Sequence, residues 1–132
     1  GGNNGLAIRY PGSGDTAYVG MCELQVLDDT AKKYAKLHPA QYHASAYGMV
    51  AAERGYQRRG GDWNFQQVTV VGSTITVEMN GTRILTADLA NVEKPMYDIN
   101  KFKGRLRKSG FFGFAGHGDA VSFRNVQIKS LK

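Results

Sequence analysis

Two short turn signals separate three extended runs in the middle of the chain, and they restrict the fold more than any other feature. The runs at 66–71 and 74–79 are joined by Gly72-Ser73, and the second meets Asn80-Gly81 before a third run at 82–85. Asn-Gly is the strongest short signal for a β-hairpin, because both residues accept the positive φ angles of a tight turn. The segment therefore predicts a three-stranded meander. Its buried face would carry Val68, Val70, Ile75, Val77 and Met79.

The rest of the chain continues this extended pattern. Further strands are expected at 6–10, 18–28, 42–52, 111–115 and 120–129. In the second of these, Cys22, Leu24 and Val26 alternate with polar residues that point to the opposite face. The one helix candidate is 28–37, which ends before Pro39. About seven strands with turns roughly every 8–12 residues predict a single antiparallel β-sandwich domain over 1–132.

Composition excludes several other classes of protein. The 132 residues are 42% hydrophobic and 21% charged, as in a globular chain rather than a disordered one. Cys22 is the only cysteine, so neither an intrachain disulfide nor a thiolate zinc cluster can form. No run approaches the ~18 apolar residues of a membrane-spanning helix. We therefore expect no membrane span.

The net charge of +6 raises the question of an anionic partner. Residues 101–108 hold five of the 17 basic residues, and strict alternation would place Lys101, Lys103, Arg105 and Arg107 on one face of a strand. Interleaved cations and aromatic residues can bind single-stranded nucleic acid. No nucleic-acid-binding module matches the surrounding sequence, so we predict no nucleic-acid partner. We interpret the stretch as a solvated hairpin that serves solubility or contacts acidic sugars.

Metal-ligating residues are too scattered to predict a metal centre. His38 and His43 are five residues apart across Pro39, and His117-Gly118-Asp119 offers only two further ligands. No acidic loop is dense enough to predict a calcium site. We therefore predict no metal and no other cofactor, and leave a structural calcium ion open.

Five segments together form a recognisable set. They are Asn3 to Arg9, Cys22 to Asp28, Tyr47-Gly48, Gly61-Asp62-Trp63-Asn64 with the meander through Gly81, and Gly116 to Asp119 with Phe123 to Ile128. In this order and spacing they resemble the 3-keto-disaccharide hydrolase family over essentially all 132 residues. Two positions depart from the family pattern. Gly116 replaces the carboxylate that normally precedes the histidine, and Cys22 replaces an aromatic residue.

The resemblance implies a concanavalin-like jelly roll that acts on 3-keto-disaccharides or related glycosides. Family members carry additional strands ahead of the first segment, so we expect a sandwich that is incomplete at its N-terminal edge. An exposed edge of this kind can pair with another chain, so we expect that the protein can form oligomers through it. The resemblance also implies a bacterial protein exported to the periplasm or the exterior.

A 3-keto glycoside can be cleaved by proton abstraction. The carbonyl at C3 acidifies the hydrogen on C2, and loss of that proton expels the group at C1 by β-elimination. Water can then add to the resulting enone. Such a site needs a base near C2, a donor for the enolate oxygen and an acid for the departing oxygen. It does not need the two carboxylates of a conventional glycosidase.

Polar residues at alternate strand positions supply candidates for these roles. Glu23 and Gln25 share one face, and a neighbouring strand could place Arg9 beside them. We hypothesise that Glu23 and His117 transfer protons. The substrate-binding candidates are Arg9 and Arg124 for oxyanion character, Asn4 and Gln25 for hydroxyl groups, and Trp63 and Tyr47 for the apolar face of a sugar.

Each assignment has a purely structural alternative. Glu23 and Arg9 could form only a cross-strand ion pair, and His117 could be a turn residue between two glycines. Arg124 could belong to a bulge, and Trp63 could lie in the core. For the whole chain, the alternative to an enzyme is a non-catalytic carbohydrate-binding module that uses the same concave face. A conventional glycosidase is a third possibility.

Overall fold

The computed structural model describes residues 1–131. In this part of the chain the strands are β1 (Asn3–Tyr10), β2 (Cys22–Leu27), β3 (Gln66–Val71), β4 (Thr74–Met79), β5 (Thr82–Asp88) and β6 (Phe111–Gly116). The helical elements are α1 (Thr16–Val19) and the 3-10 turns Lys32–Tyr34, Pro39–Gln41 and Ile99–Lys101. Within residues 1–131, no helix reaches the length and apolar character that crossing a membrane would require.

The strands form two antiparallel sheets with the orders β2-β1-β6 and β3-β4-β5. The second sheet is the meander predicted from the turn signals, with Val70 paired to Ile75 and Met79 paired to Thr82. Asn80 and Gly81 adopt φ angles of 49° and 89°. These are the left-handed conformations that a two-residue hairpin needs, and the prediction of a meander is confirmed.

The apolar faces of the two sheets pack against each other. Cys22 and Leu24 of β2 and Ile75 and Val77 of β4 are completely buried in this interface. Burying an aliphatic side chain of this size stabilises a fold by about 1.5–3 kcal/mol. Burial also raises the pKa of the Cys22 thiol, so this residue is core filler. The predicted antiparallel β-sandwich is confirmed.

Several predicted elements do not form as expected. The run predicted from residue 18 to 28 is a strand only over Cys22–Leu27, because Thr16–Val19 is helical. The helix predicted over 28–37 is wrong, because only Lys32–Tyr34 is helical and it is a single 3-10 turn. The strand predicted over 42–52 is also wrong. That segment consists of turns with isolated bridges, because positive φ angles at Ala44 and Gly48 interrupt an extended course.

The basic stretch 101–108 is not a strand either, contrary to the alternation that suggested one. It begins at the end of a 3-10 turn, and Phe102 inserts into the core at 1% exposure. The ammonium group of Lys101 lies over the rings of Tyr18 and Tyr97, at 4.5 and 3.9 Å from their centroids. A Cβ at Gly104 would overlap the backbone of α1. The segment is therefore a turn that Phe102 and Gly104 anchor against the core and α1, while most of its basic side chains are exposed.

Residues 120–131 form no strand, so the prediction for 120–129 is wrong. Four of their apolar side chains are 38–76% exposed, namely Phe123, Val126, Ile128 and Leu131. Phe123 stacks on Phe114 of β6 with 4.0 Å between ring centroids. Among the described residues β6 is an edge strand of its sheet, and no further strand lies beside this segment to pair with it.

Candidate active site

A cleft of about 310 Å³ lies on the outer face of the β2-β1-β6 sheet. Glu23, Gln25 and Leu27 line it, and they alternate with Cys22 and Leu24, which face the core. The same alternation that builds the sandwich therefore carries polar side chains to the opposite side of the sheet. Asn3, Asp15, Tyr18, Tyr34, Tyr47 and His117 complete much of the wall.

Glu23 is a buried carboxylate whose two oxygens both have partners. Its side chain is only 6% exposed. The hydroxyl of Thr16, the first residue of α1, donates to Oε2, and Nε2 of His117 lies 3.1 Å from Oε1. Asp15 caps α1 by accepting a hydrogen bond from the backbone N–H of Ala17 at 3.0 Å, which holds Thr16 in place. The carboxylate is thus fixed from two sides.

His117 follows β6 and shares the outer face with Gly113 and Ala115. In contrast to Glu23, its side chain is 45% exposed. One ring nitrogen faces Glu23, and the other has no hydrogen-bond partner among residues 1–131. An imidazole oriented in this way can exchange a proton with a ligand through its free nitrogen.

A glycine makes room for this pair. Gly5 of β1 lies opposite Gln25, and a Cβ built on it would overlap the carboxylate of Glu23. The side chain of Glu23 therefore crosses over Gly5 to reach His117, which comes from the strand on the other side of β1. The contact requires the absence of a side chain at this position.

An amide pair lies beside the Glu23–His117 pair. Nε2 of Gln25 donates to Oδ1 of Asn3 at 2.8 Å, and Gln25 is 5% exposed. Tyr47 also lines the cleft, and its hydroxyl accepts a hydrogen bond from Gln41 at 3.3 Å. Burial raises the pKa of Tyr47. Its hydroxyl accordingly stays protonated at neutral pH and can donate a hydrogen bond.

Of the residues proposed from the sequence, the structure brings Glu23, Gln25, Tyr47 and His117 together, and it places the other four elsewhere. Asn4 pairs with Val26, and its Oδ1 accepts from the N–H of Gly5 at 2.9 Å. It therefore belongs to the alternate face of β1, whereas its neighbour Asn3 lines the cleft.

Arg9 lies away from the cleft and does not pair with Glu23. Its Nη1 donates to the backbone oxygens of Gly72 and Arg107 at 2.7 and 2.8 Å. The register of β1 against β6 shifts between Ala7 and Tyr10, and Arg9 has a φ of 47°. This irregularity turns the side chain away from the site and towards the second sheet.

Trp63 and Arg124 contact each other rather than the cleft. The guanidinium carbon of Arg124 lies 4.1 Å from the ring centroid of Trp63, and the tryptophan is 44% exposed. Asn125, the next residue, has a φ of 52°. The pair joins the segment after β6 to the loop before β3, and neither residue lines the cleft.

Sequence reasoning missed several residues that line the cleft or support it. Thr16 carried a recognisable signal, because Asp15-Thr16 has the pattern of a helix N-cap. Asn3 lay within the same motif as Asn4, and only the strand register distinguishes them. Tyr18 and Tyr34 lie in short helical turns, where no periodicity marks them.

The other two histidines have local structural roles. Nδ1 of His38 accepts from Ala40 N–H at 3.2 Å at the start of a 3-10 turn. Nδ1 of His43 accepts from Leu27 N–H at 3.1 Å, and its Nε2 lies 2.7 Å from Gln66. Burial lowers the pKa of His43. Among residues 1–131 no three potential metal ligands come together, and the absence of a metal stays a prediction.

Two comparisons of sequence agree with the resemblance. A family model described as the 3-keto-alpha-glucoside-1,2-lyase-like domain matches residues 1–129. The 3-keto-disaccharide hydrolase of Bacteroides thetaiotaomicron is 30% identical over 131 residues. The match covers 86% of this chain and 45% of that protein. The chain therefore spans less than half the length of this curated relative.

Solved structures show the same fold. A candidate glycosyl hydrolase from Parabacteroides distasonis superposes with a TM-score of 0.69 at 22% identity, covering 90% of this chain and 66% of that one. A second candidate glycosyl hydrolase from the same species gives a TM-score of 0.59 at 18% identity, with 89% and 59% covered. At these identities the likeness concerns architecture alone.

Proposed function

Because the chain belongs to the family of 3-keto-alpha-glucoside-1,2-lyase-like domains, we propose that it is an enzyme that cleaves 3-keto glycosides in the cleft at Glu23 and His117. One observation carries this proposal. A buried carboxylate, held on one side by Thr16, contacts a half-exposed imidazole at 3.1 Å. This is the arrangement of a general base and the group that orients it.

In the proposed reaction, His117 contacts the substrate and Glu23 acts through it. The free ring nitrogen of His117 takes the proton from C2, while the N–H of Nε2 donates to Glu23. The C2–H electron pair forms an enolate, which collapses to restore the C3 carbonyl. A C1–C2 double bond forms, the C1–O bond breaks and the leaving oxygen takes a proton. Addition of water across the double bond completes a net hydrolysis.

Tyr47 is the donor that best fits the developing negative charge. Its hydroxyl accepts from Gln41, so its own hydrogen is available to the cleft. Its raised pKa keeps that hydrogen in place at neutral pH. A donor placed in advance where charge develops typically contributes 10²–10³-fold to turnover, as an order of magnitude. Tyr47 thereby takes the role that the sequence suggested for Arg9.

A non-catalytic binding module is the less favoured alternative. Neutral sugars are bound by amides, hydroxyls and aromatic faces, and such a site needs no buried carboxylate. Removing a carboxylate from water costs several kcal/mol unless partners compensate it. A carboxylate can also accept hydrogen bonds from sugar hydroxyl groups, but both oxygens of Glu23 already have protein partners in Thr16 and His117, which favours a role in proton transfer.

The test is release of glucose from 3-keto-trehalose or another 3-keto-glucoside by the purified chain. Glu23→Gln and His117→Ala are each expected to lower kcat by about 10²–10⁴-fold. A matched control is Glu78→Gln on β4, which does not line the cleft. Full activity in both cleft variants, with thermal unfolding unchanged, would refute the assignment.

Three properties of the protein stay predictions from the sequence. They are export from the cell, association through an exposed sheet edge and the absence of a nucleic-acid partner. The family resemblance supports the first, and the open edges at β3 and β6 support the second.

A further inference from the structure

We propose that Asp119 is a positioning residue, which fastens the segment that carries His117 to the wall of the cleft and so holds the imidazole against Glu23. Asp119 does not line the cleft, so it acts through His117 and not on the substrate. We call its contacts with Lys33 and Tyr34 the Asp119 clamp. The inference rests on the proposed function for the role of His117. The clamp itself is argued from contacts that the proposed reaction does not use.

His117 lies where the support of the sheet ends. Gly116, opposite Asn4, is the last residue of β6 in register with β1. Within residues 1–131, the three residues after His117 make no backbone–backbone hydrogen bond. Glycines flank His117 on both sides, and Gly118 has a φ of 82°. Because glycine restricts the backbone less than any other residue, the position of the imidazole needs support from outside the strand.

Asp119 supplies this support through its side chain. Its Oδ2 accepts a hydrogen bond from the hydroxyl of Tyr34 at 3.2 Å and lies 3.3 Å from Nζ of Lys33. Both partners belong to the 3-10 turn Lys32–Tyr34. The ammonium group of Lys33 also lies 4.8 Å from the centroid of the Tyr34 ring. Hydrogen bonding from Lys33, above all, lowers the pKa of Asp119, so the carboxylate stays ionised at neutral pH and accepts from both partners.

The other end of the clamp is fixed to the fold. Tyr34 lines the cleft, and its backbone oxygen accepts from the hydroxyl of Tyr42 at 3.0 Å. The same hydroxyl accepts from the N–H of Leu37 at 3.2 Å, and Tyr42 is 4% exposed. The turn therefore has a buried anchor that does not depend on Asp119. Loss of the clamp should release the segment around His117 and leave the wall of the cleft in place.

The segment matters because a single contact orients the ring of His117. Its Nε2 lies 3.1 Å from Oε1 of Glu23, while its side chain is 45% exposed. Glu23, in contrast, is held by Thr16 and by its own burial. Of the two groups in the proposed reaction, the imidazole is therefore the one that depends on the clamp for its position.

Kinetics of Asp119 variants test the clamp. A misplacement of about 1 Å typically costs on the order of 100-fold in rate, and the contact with Glu23 limits the displacement. Asp119→Ala should therefore lower kcat on a 3-keto-disaccharide about tenfold, with KM within about twofold because the binding groups are unchanged. Asp119→Asn keeps an oxygen that can accept from Tyr34, so its kcat should recover to within about threefold of the parent. Asp62→Ala, at an exposed aspartate outside the cleft, is the matched control and should behave like the parent.

A double-mutant cycle tests whether the contact itself is responsible. Tyr34→Phe removes the hydroxyl and keeps the ring that lines the cleft. It should lower kcat in the parent and have no further effect in Asp119→Ala, because the partner is already absent there. Thermal unfolding should stay unchanged in all variants, since exposed ion pairs contribute little to stability. Equal effects of Tyr34→Phe in both backgrounds, or parental kcat in Asp119→Ala, would overturn the proposal.

NMR separates failure of the clamp from failure of the proposed function. The nuclear Overhauser effect between the ring protons of His117 and the side chain of Glu23 reports their contact without any substrate. Asp119→Ala should weaken this effect, and Asp62→Ala should not. If the chain cleaves no 3-keto glycoside, the proposed reaction is wrong, but a weakened effect in Asp119→Ala would still support the clamp. If the chain cleaves 3-keto glycosides and Asp119→Ala changes neither the effect nor kcat, the clamp alone is wrong.

Discussion

Replacing Gly5 with alanine should remove most of the activity and leave the protein folded. The added Cβ would lie 2.6 Å from the carboxylate carbon of Glu23, where ordinary contact begins at 3.4 Å. The atoms in its way belong to the side chain of Glu23, from Cγ outward, and not to backbone. Gly5 is also not among the glycines with a positive φ, so alanine fits the strand conformation. The new methyl group therefore acts on Glu23 rather than on the fold.

The size of the effect follows from these distances. The carboxylate carbon must retreat by about 0.8 Å to restore a 3.4 Å contact, and Oε1, which lies nearer, must retreat further. The 3.1 Å contact of Oε1 with His117 would then be lost. A misplacement of about 1 Å in catalytic geometry typically costs on the order of 100-fold in rate. Stability should change by less than about 1 kcal/mol, because alanine also restricts the unfolded chain.

The assay compares kcat on a 3-keto-disaccharide with the thermal transition of the same preparation. Gly113→Ala is the matched control, since Gly113 lies on the same face of the sheet and a Cβ there meets nothing within 4 Å. We expect Gly113→Ala to retain activity within about twofold. The reasoning is refuted if Gly5→Ala turns over at the parental rate, or if Gly113→Ala loses as much.

Three other substitutions test the supporting structure. Thr16→Val should lower kcat about tenfold by leaving one oxygen of Glu23 unpaired; Thr16→Ser should restore it, and equal activity in both variants would exclude a positioning role. Burial lowers the pKa of His43, so below pH ~6.5 the unfolded chain binds the proton first and the unfolding free energy falls as pH decreases. In urea titrations, the difference between the unfolding free energies at pH 7.5 and pH 5 should be smaller for His43→Gln than for the parent. Arg9→Leu should lower the unfolding free energy by about 1 kcal/mol, because its hydrogen bonds to Gly72 and Arg107 are lost. Its kcat should stay within about twofold of the parental value. A large loss of kcat would show that Arg9 acts in the site after all.

Alternation and turn chemistry predict the parts of the fold where local preference and tertiary packing agree. Asn80-Gly81 requires two left-handed residues, and the meander on either side has one apolar face. The same alternation places Glu23 and Gln25 on one side of β2. Their proximity to His117 could not be derived from spacing, because it depends on β6 pairing with β1 across about 100 residues. The sequence singled out both residues as candidates but did not predict that pairing.

The remaining errors come from single residues that change the course of the backbone. The irregularity between Ala7 and Tyr10 turns Arg9 away from the face that alternation assigns to it. A shift of one residue likewise separates Asn3, which lines the cleft, from Asn4, which does not. Positive φ angles at Ala44 and Gly48 interrupt a run that reads as a strand. None of these features leaves a periodic signal in the sequence.

The order in which the chain folds follows from the arrangement of the first sheet. The β3-β4-β5 meander joins neighbouring segments through short turns and closes only small loops. The Glu23–His117 contact closes a loop of 94 residues, and it needs β1 to have found β6 as well as β2. Long loops cost more chain entropy and close later. In refolding experiments, secondary structure should therefore recover before activity, and recovery of turnover should report the last step in assembling the sandwich.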